Sequence, residues 1–204
     1  MEYKKLETYK GLIFDLDGTL IDSMPFHAQS WKQVANEHGF DIDIEDIYRL
    51  GGSSSYDIAR FYKNQGFPVG DLKTYVDRKI EIYLENVPKI TVYENIFNFL
   101  KKRRENGVKI AIGTGSRTVN VNCVLEAKKI IDYIDTIVTS DDVTAHKPNP
   151  DTFLLAAKKM NLKPEECCVF EDGGLGLKAA INGGFDCVEV NRGNFINLYE
   201  IDRK

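Results

Sequence analysis

Short apolar runs alternate along the chain with longer segments in which apolar positions recur at helical spacing. Short continuous apolar runs are typical of strands buried on both sides, and apolar residues every three or four positions indicate helices with one buried face. Strands that alternate with helices favour a mostly parallel sheet covered by helices. The predicted strands are 12–14, 108–112, 136–139, 167–170 and 186–190, and the helices between the later ones are 92–105, 118–128, 150–160 and 174–183.

One long stretch departs from this alternation, because it contains helical patterns and no convincing strand. Its predicted helices are 26–38, 44–50, 56–64 and 72–86. We therefore predict an α/β protein with a Rossmann-like, mostly parallel sheet core and an inserted all-helical cap subdomain. The core would comprise residues 1–24 and 90–204, and the cap residues 25–89. Such an insert is expected to cover the carboxyl end of the sheet, where open α/β folds bind ligands.

Composition and charge exclude several classes of protein. The 204 residues are 43% hydrophobic and carry a net charge of −4, which does not favour nucleic acid held by a general positive field. No apolar run approaches the ~18 residues of a membrane span, and the amino-terminal stretch lacks the apolar centre of a signal peptide. The four cysteines lack metal-ligand spacing, as expected for buried thiols in a reducing compartment. We therefore expect a cytoplasmic protein without a membrane or nucleic-acid partner.

Polar side chains follow the predicted strands at the points where the strands end. In the stretch GLIFDLDGTLID (11–22), two aspartates one residue apart follow the first strand, and hydroxyls, cations and further acids follow the others. Because the carboxyl ends of parallel strands meet at one edge of a sheet, we expect these side chains to converge. They are Asp15, Asp17, Thr114, Ser116, Arg117, Lys147, Glu171 and Asp172.

This combination of side chains limits the chemistry. Several converging acids would repel one another, and a hard divalent cation with oxygen ligands, Mg²⁺ before zinc, removes that conflict. Mg²⁺, Lys147 and Thr114 around one point suit the charge of a phosphoryl group. Asp15 would attack phosphorus and form an aspartyl-phosphate. Gly18 lets the chain turn, so that Asp17 can protonate the leaving alcohol and later accept a proton from water.

At these residues the chain resembles the haloacid dehalogenase superfamily of phosphatases and phosphomutases. The segments that carry the resemblance are DLDGT (15–19), IGTGS (112–116), HKPNPDTF (146–153) and FEDGGLGLKAA (170–180). The resemblance implies Mg²⁺ bound by Asp15, the backbone carbonyl of Asp17 and Asp172, with Glu171 close by. It also implies a phosphate site at Thr114, Gly115 and Lys147. The acid at position 17 argues against true dehalogenation, which in this family proceeds without it.

Within the superfamily, the chain is similar to the β-phosphoglucomutase group and its fructose-1-phosphate phosphatase relatives. The segment DSMPFHAQSW (22–31) resembles the entry to their cap and carries His27. The mutases hold a second phosphate with an arginine in the first cap loop, and the matching residue in LGGSSSYD (50–57) is Ser55. Without that arginine we favour a phosphatase that acts on small sugar phosphates, unless Arg60 or Lys79 supplies the missing cation. We also expect the protein to be a monomer.

Alternative interpretations remain open at this stage. The first is a sugar phosphomutase. Another is a dinucleotide-binding module that uses the G-x-G-x-x-A pattern at 174–179, and a third is a regulatory protein that keeps the fold without the chemistry. For single residues, Arg117 either contacts the substrate or begins a helix. His27 either takes part in proton transfer or substrate contact, or packs inside the cap.

Overall fold

The computed structural model describes residues 4–202, and in it six strands form one sheet. The strands follow the order β3-β2-β1-β4-β5-β6 across the sheet, and all neighbouring pairs are parallel except β5 and β6. This confirms the predicted fold class. The strands are β1 (Gly11–Phe14), β2 (Lys109–Gly113), β3 (Thr136–Val138), β4 (Cys167–Glu171), β5 (Asp186–Asn191) and β6 (Asn194–Tyr199).

The central strand β1 is buried on both faces, which explains its continuous apolar run. Leu12 and Phe14 belong to the hydrophobic cluster on one face of the sheet, whereas Ile13 belongs to the cluster on the other face. Successive side chains of a strand point to opposite faces, so each face receives its share of apolar side chains. The helices that cover these faces are α5 (Glu94–Glu105), α6 (Thr118–Ala127), α7 (Asp151–Lys159) and α8 (Gly174–Asn182).

Strand β6 was not predicted from the sequence. It pairs antiparallel with β5 at the edge of the sheet, through a two-residue turn of Arg192 and Gly193 that both have positive φ. Positive φ at both central residues suits the twist of a tight hairpin. Four of the six β6 residues are exposed and the other two are half-buried. Its sequence therefore lacks the apolar run by which the other strands were found.

The segment between β1 and α5 forms four helices with a hydrophobic cluster of their own. This cluster includes Trp31, Tyr62 and Tyr75 and is separate from the clusters of the sheet. The helices are α1 (Met24–Glu37), α2 (Ile44–Arg49), α3 (Ser55–Asn64) and α4 (Leu72–Asn86), each within two residues of its predicted bounds. The boundaries between core and cap at residues 24/25 and 89/90 stay a prediction. We use the name cap for residues 25–89.

The two connections between cap and core run side by side. Ile21 and Val92 form an isolated antiparallel bridge. The Asp22 amide donates to the Thr91 carbonyl at 2.8 Å, and the Tyr93 amide donates to the Leu20 carbonyl at 3.0 Å. The cap is therefore joined to the core by a short paired ribbon.

The helices and the cysteines of the structure bear on two expectations drawn from composition. Within residues 4–202, no helix combines the length and apolar character that crossing a bilayer requires. All four cysteines are free thiols, and Cys167, Cys168 and Cys187 are buried. These three cysteines serve as small apolar side chains, as predicted, whereas Cys123 is only half-buried.

Candidate active site

Asp15 lies at the carboxyl end of β1, where it is buried next to a lysine. The Asp15 amide donates to the Phe170 carbonyl at 2.9 Å, which fixes the backbone against β4. Lys147 Nζ donates to Asp15 Oδ1 at 2.7 Å and to Glu171 Oε1 at 2.6 Å. Burial alone would lower the pKa of Lys147, but the two carboxylates raise it above its usual value. One buried ammonium therefore holds two buried carboxylates.

A third carboxylate joins this group and forms a candidate metal site. Asp15, Glu171 and Asp172 each offer a carboxylate oxygen, and these oxygens lie within 4.8 Å of one another. Thr19 Oγ1 donates to Asp172 Oδ1 at 2.7 Å. Burial and the charge of Glu171 raise the pKa of Asp172 to about 7. Two buried acids and one half-buried acid against one ammonium leave excess negative charge, and their oxygen donors suit a hard divalent cation such as Mg²⁺.

Gly18 makes room for this acidic group. Its φ is +89°, and a Cβ atom at this position would lie 2.2 Å from Asp172 Oδ2. A side chain here would therefore be strained by the backbone conformation and would also collide with the carboxylate. The glycine that was predicted to turn the chain after Asp17 also permits the approach of Asp172.

The amino terminus of α8 is occupied by Glu171. The Gly173 amide donates to Glu171 Oε2 at 2.7 Å, and a Cβ atom on Gly176 would lie 1.7 Å from Glu171 Oε1. The glycine at position 176 thus accommodates a carboxylate of the chain itself. A dinucleotide pyrophosphate at this helix terminus would meet that negative charge, which argues against the dinucleotide-binding interpretation.

Thr114 and Gly115 lie at the end of β2, opposite Asp15. Thr114 is buried, and its Oγ1 accepts a hydrogen bond from the Ser116 amide at 3.0 Å. A Cβ atom on Gly115 would lie 2.3 Å from the carbonyl oxygen of Gly52, which belongs to the cap. The cap loop therefore closes directly onto the strand end, as was expected of an insert that covers this edge of the sheet.

Asp17 is held by neutral side chains rather than by Lys147. Ser23 Oγ donates to Asp17 Oδ1 at 2.5 Å, Ser116 Oγ donates to Oδ2 at 2.5 Å, and His27 Nε2 lies 2.9 Å from Oδ1. Burial alone would raise the pKa of Asp17, but His27 and the two hydroxyls hold it well below its usual range. The structure thus brings Ser116 and His27 to the second aspartate.

Lys79 on α4 completes this second network. Its Nζ lies 2.7 Å from His27 Nδ1 and 5.2 Å from the centroids of the Trp31 and Tyr83 rings. An ammonium can only donate, so His27 Nδ1 accepts from protonated Lys79 and His27 Nε2 donates to Asp17. Burial lowers the pKa of Lys79 to about 7. The side chains form a continuous chain from Lys79 through His27 to Asp17.

Most of this network was not predicted from the sequence. Ser23 and Tyr83 were not named, and Lys79 was considered only as a cation for a second phosphate. One signal was present in the sequence, because Tyr75, Lys79 and Tyr83 recur every four residues on the buried face of α4. A lysine on such a face needs a partner or a function.

The acids face a small cavity between the cap and the sheet. The cavity has a volume of about 40 Å³, which leaves space for only a few water molecules. Asp15, Asp17, Thr114 and Ser116 line the core side. The cap side is mostly apolar, with Trp31, Ile47, Leu50, Ser55, Ile58 and Lys79.

Arginines of the cap do not line this cavity in the described part of the chain. Arg49 pairs with Asp46 at 2.6 Å, and Arg60 pairs with Asp57 at 2.8 Å, in both cases on the surface of a helix. Arg117 of the core also stays outside, since its Nε donates to Asp141 Oδ1 at 3.0 Å. Lys79 is therefore the only lysine or arginine that the described cap residues bring to the cavity.

Comparisons with known proteins agree with this geometry. A sequence model of the family described as "Haloacid dehalogenase-like hydrolase" matches residues 12–190. The fructose-1-phosphate phosphatase YqaB of Escherichia coli is 34% identical over 188 residues, which cover 90% of this chain and 97% of that protein. The β-phosphoglucomutase of Bacillus subtilis is 28% identical over 192 residues, covering 90% and 84% of the two chains.

Solved structures show the same relationship. A crystal structure of β-phosphoglucomutase from Clostridium difficile superimposes with a TM-score of 0.81 and 26% identity. The superposition covers 89% of this chain and 84% of the other. The chain therefore belongs to the haloacid dehalogenase-like hydrolases and is an enzyme that resembles their phosphatases and phosphomutases.

Proposed function

We propose that the protein is a Mg²⁺-dependent phosphatase that hydrolyses small sugar monophosphates through a phosphorylated Asp15. The observation that carries this proposal is the position of Lys147 between Asp15 and Glu171, at distances of 2.7 and 2.6 Å. Asp17 faces the same cavity but belongs to a separate network. A nucleophile beside a buried cation and a second acid in a different environment are the parts that phosphoryl transfer through aspartate needs.

In the first step, a carboxylate oxygen of Asp15 attacks phosphorus. The new bond joins that oxygen to phosphorus, and the bond from phosphorus to the sugar oxygen breaks. Asp17 delivers to the departing oxygen a proton that protonated Lys79 supplies through His27, because Asp17 itself is ionised before the substrate binds. Lys147, the Thr114 hydroxyl and the Gly115 amide would bind the phosphoryl oxygens. Mg²⁺, when held by Asp15, Asp172 and the backbone carbonyl of Asp17 with Glu171 close by, would offset negative charge on the phosphoryl group.

In the second step, water hydrolyses the aspartyl-phosphate. Asp17, now ionised, accepts a proton from the attacking water, the bond between Asp15 and phosphorus breaks, and phosphate leaves. The hydrogen-bonded chain from Lys79 through His27 to Asp17 Oδ1 supports the return of that proton to the interior of the cap. The small volume of the cavity between the cap and the sheet supports the exclusion of bulk water during both steps.

The cap side of the cavity favours a phosphatase over a phosphomutase. A mutase must hold a second phosphate far from the catalytic aspartate, and an arginine suits that task because it binds phosphate in a bidentate manner. At the position where the family resemblance expects that arginine stands Ser55, and it lines the cavity. Lys79 is a poor substitute, because it already binds His27 and burial lowers its pKa to about 7.

We propose a monomeric enzyme whose partner is a small phosphorylated metabolite. The names of the relatives support a sugar phosphate, since the Escherichia coli protein is a fructose-1-phosphate phosphatase and the Bacillus subtilis protein is a β-phosphoglucomutase. The apolar wall of Trp31, Leu50 and Ile58 would face the carbon side of the sugar.

A phosphate-release screen tests the proposal. Purified protein is incubated with sugar monophosphates, sugar bisphosphates, nucleotides and phosphoglycolate, with Mg²⁺ or with a chelator, and with an Asp15→Asn variant as control. We expect Mg²⁺-dependent release of inorganic phosphate, with sugar monophosphates preferred and the variant inactive. Conversion of a sugar 1-phosphate to its 6-phosphate without phosphate release would establish the mutase instead. Release that persists in the Asp15→Asn variant would contradict the mechanism.

A further inference from the structure

Arg117 lies at the border between core and cap, at the amino terminus of α6. Its Nε donates to Asp141 Oδ1 at 3.0 Å, and Asp141 Oδ2 also accepts from the Thr118 amide at 2.9 Å. Asp141 therefore fixes the guanidinium on the core side. The Arg117 side chain has 29% of its surface exposed to solvent, and it does not line the cavity that Asp15 and Asp17 face.

The free side of the guanidinium reaches across to the cap. Arg117 Nη1 lies 3.6 Å from Asp77 Oδ1 on α4, which is an ion-pair distance. The Arg117 guanidinium carbon also lies 5.8 Å from the centroid of the Tyr56 ring on α3. Asp77 is further bound by Lys73 Nζ at 2.5 Å. Among residues 4–202, this is the only ion pair between a lysine or arginine and a carboxylate that joins core and cap.

We propose that Arg117 is a positioning residue that biases the cap towards closure through Asp77 and Tyr56, and that it is not a ligand of the substrate. The proposal rests on the proposed function, because closure matters only if the cavity is the active site. Both partners in the pair are partly exposed, so the pair shifts an equilibrium by about two- to five-fold. Such a bias favours closure over the substrate while leaving the cap free to open for product release.

The contacts on α3 and α4 explain how this bias would reach the catalytic acids. Tyr56 follows Ser55, which lines the cavity, and Asp77 lies on the same helix as Lys79. Separation of Arg117 from the cap would therefore move Lys79 and His27 away from Asp17 together. We call the contacts of Arg117 with Asp77 and Tyr56 the latch. Removal of the latch is expected to raise KM about two- to five-fold without lowering kcat. Salt would act on the wild type in the same direction, since partly exposed pairs are screened.

A double-mutant cycle in the full-length protein tests the pair. Arg117→Gln, Asp77→Asn and the double variant are compared for KM and kcat at low and high KCl. We expect each single variant to raise KM to a similar extent, the double variant to add little, and the salt dependence of KM to weaken in all three. Arg60→Gln is the matched control, because Arg60 also lies over Tyr56 but pairs with Asp57 inside the cap. A loss confined to Arg117→Gln, with Asp77→Asn unaffected, would mean direct substrate contact and would overturn the proposal.

A distance measurement separates this proposal from the proposed function, because it needs no activity. Spin labels are placed on exposed residues of the cap and the core by Gln29→Cys and Lys158→Cys, in a background with Cys123→Ser. We expect Arg117→Gln and Asp77→Asn to broaden the distance distribution towards open forms, while Arg60→Gln leaves it unchanged. An unchanged distribution in both latch variants would refute the latch even if the protein proves to be a phosphatase. A shifted distribution would support it even if no substrate is found.

Discussion

Asp15 and Asp17 are separated by one residue, yet they lie in environments of opposite character. Asp15 is surrounded by charge, with Lys147 at 2.7 Å and two further carboxylates nearby. Asp17 is surrounded by the hydroxyls of Ser23 and Ser116 and the imidazole of His27, which come from the connection to the cap, the end of β2 and the cap. Burial, Glu171 and Asp172 raise the pKa of Asp15 against the opposing effect of Lys147, whereas the pKa of Asp17 is held well below its usual range.

The comparison shows that the two acids depend on different parts of the molecule. The surroundings of Asp15 come from strand ends and their loops, all in the core. The surroundings of Asp17 are shared between core and cap, because Ser23 directly precedes α1, His27 lies in α1 and Ser116 follows β2. A change confined to one region should therefore affect one acid and spare the other.

The largest difference is expected between Asp15→Asn and Asp17→Asn. Loss of the nucleophile should lower kcat by about 10⁴-fold or more with every substrate. Loss of the acid and base should cost about 10²–10⁴-fold with sugar phosphates. With 4-nitrophenyl phosphate, whose leaving group needs no proton, Asp17→Asn should still form the phosphorylated enzyme. Mass spectrometry of acid-quenched samples should detect this adduct in Asp17→Asn and never in Asp15→Asn. An adduct in both variants would remove Asp15 from the nucleophile role.

Gly115→Ala should separate the cap from the core without touching either acid. The new methyl group would lie 2.3 Å from the Gly52 carbonyl oxygen, so the cap loop could not reach its closed position. We expect kcat/KM to fall about 10²-fold, as for other displacements of about 1 Å near reacting groups. Gly174→Ala is the matched control, because a Cβ atom there meets nothing within 4 Å. Equal activity of the two variants would show that closure onto Gly115 is not required.

Binding of Mg²⁺ near Asp15 should stabilise the folded protein, and this stabilisation should not depend on the Asp17 side chain. At about 100 times its dissociation constant, a ligand of the folded state adds about 2.7 kcal/mol to the free energy of unfolding. For a chain of this length, that raises Tm by about 5–10 °C. Thermal scans with and without Mg²⁺ should show this rise in the wild type and in Asp17→Asn, but not in Asp172→Asn. A rise of equal size in Asp172→Asn would exclude that residue as a ligand.

Lys79→Met should change the pH dependence of the free energy of unfolding, because Lys79 is buried in the network around Asp17. The pKa of Lys79 in the folded protein is about 7, below the value of 10.5 that an unperturbed lysine has. The unfolded state therefore binds more protons between these values, so burial of Lys79 costs most below pH 7 and nothing above pH 10.5. We expect Lys79→Met to gain about 2 kcal/mol at pH 6.5, even though it loses the bond to His27, and this gain should shrink as pH rises to 10.

Thermal unfolding across this pH range provides the measurement. Lys32→Met is the matched control, since Lys32 is an exposed cap lysine that pairs with Asp41. That variant should track the wild type at every pH. A gain from Lys79→Met that does not change with pH would mean that Lys79 is charged in the folded protein throughout the range.

The core half of the site was predictable because the strand ends determine where the residues that follow them lie. A parallel sheet aligns its carboxyl ends, so Asp15, Thr114 and Asp172 had to emerge along one edge once the strands were identified. Lys147 was harder to predict, since it comes from the loop before α7 rather than from a strand end, and family resemblance supported its role. The helices of the cap followed from helical periodicity and their caps, such as the Asp71 side chain that accepts from the Thr74 amide at 2.9 Å.

The cap half of the site could not be derived in the same way. Whether Lys79 reaches His27 depends on how α4 packs against α1. Helical periodicity predicts which face of α4 is buried, but it does not predict which residues of α1 that face contacts. Arg117 illustrates the same difficulty, because its position at the start of α6 was foreseen as one option but its contacts with Asp77 and Tyr56 were not. Edge strand β6 was missed because half-exposed positions give no apolar run.

The paired connection between Ile21 and Val92 has a mechanical consequence. Two independent tethers would let the cap slide and twist, whereas a hydrogen-bonded ribbon bends across its flat face and resists shear within its own plane. Any swing of the cap therefore carries Ser23 and His27 along a single arc. They would return to Asp17 in the same register each time, so the proposed proton transfer would keep the same geometry from one cycle to the next.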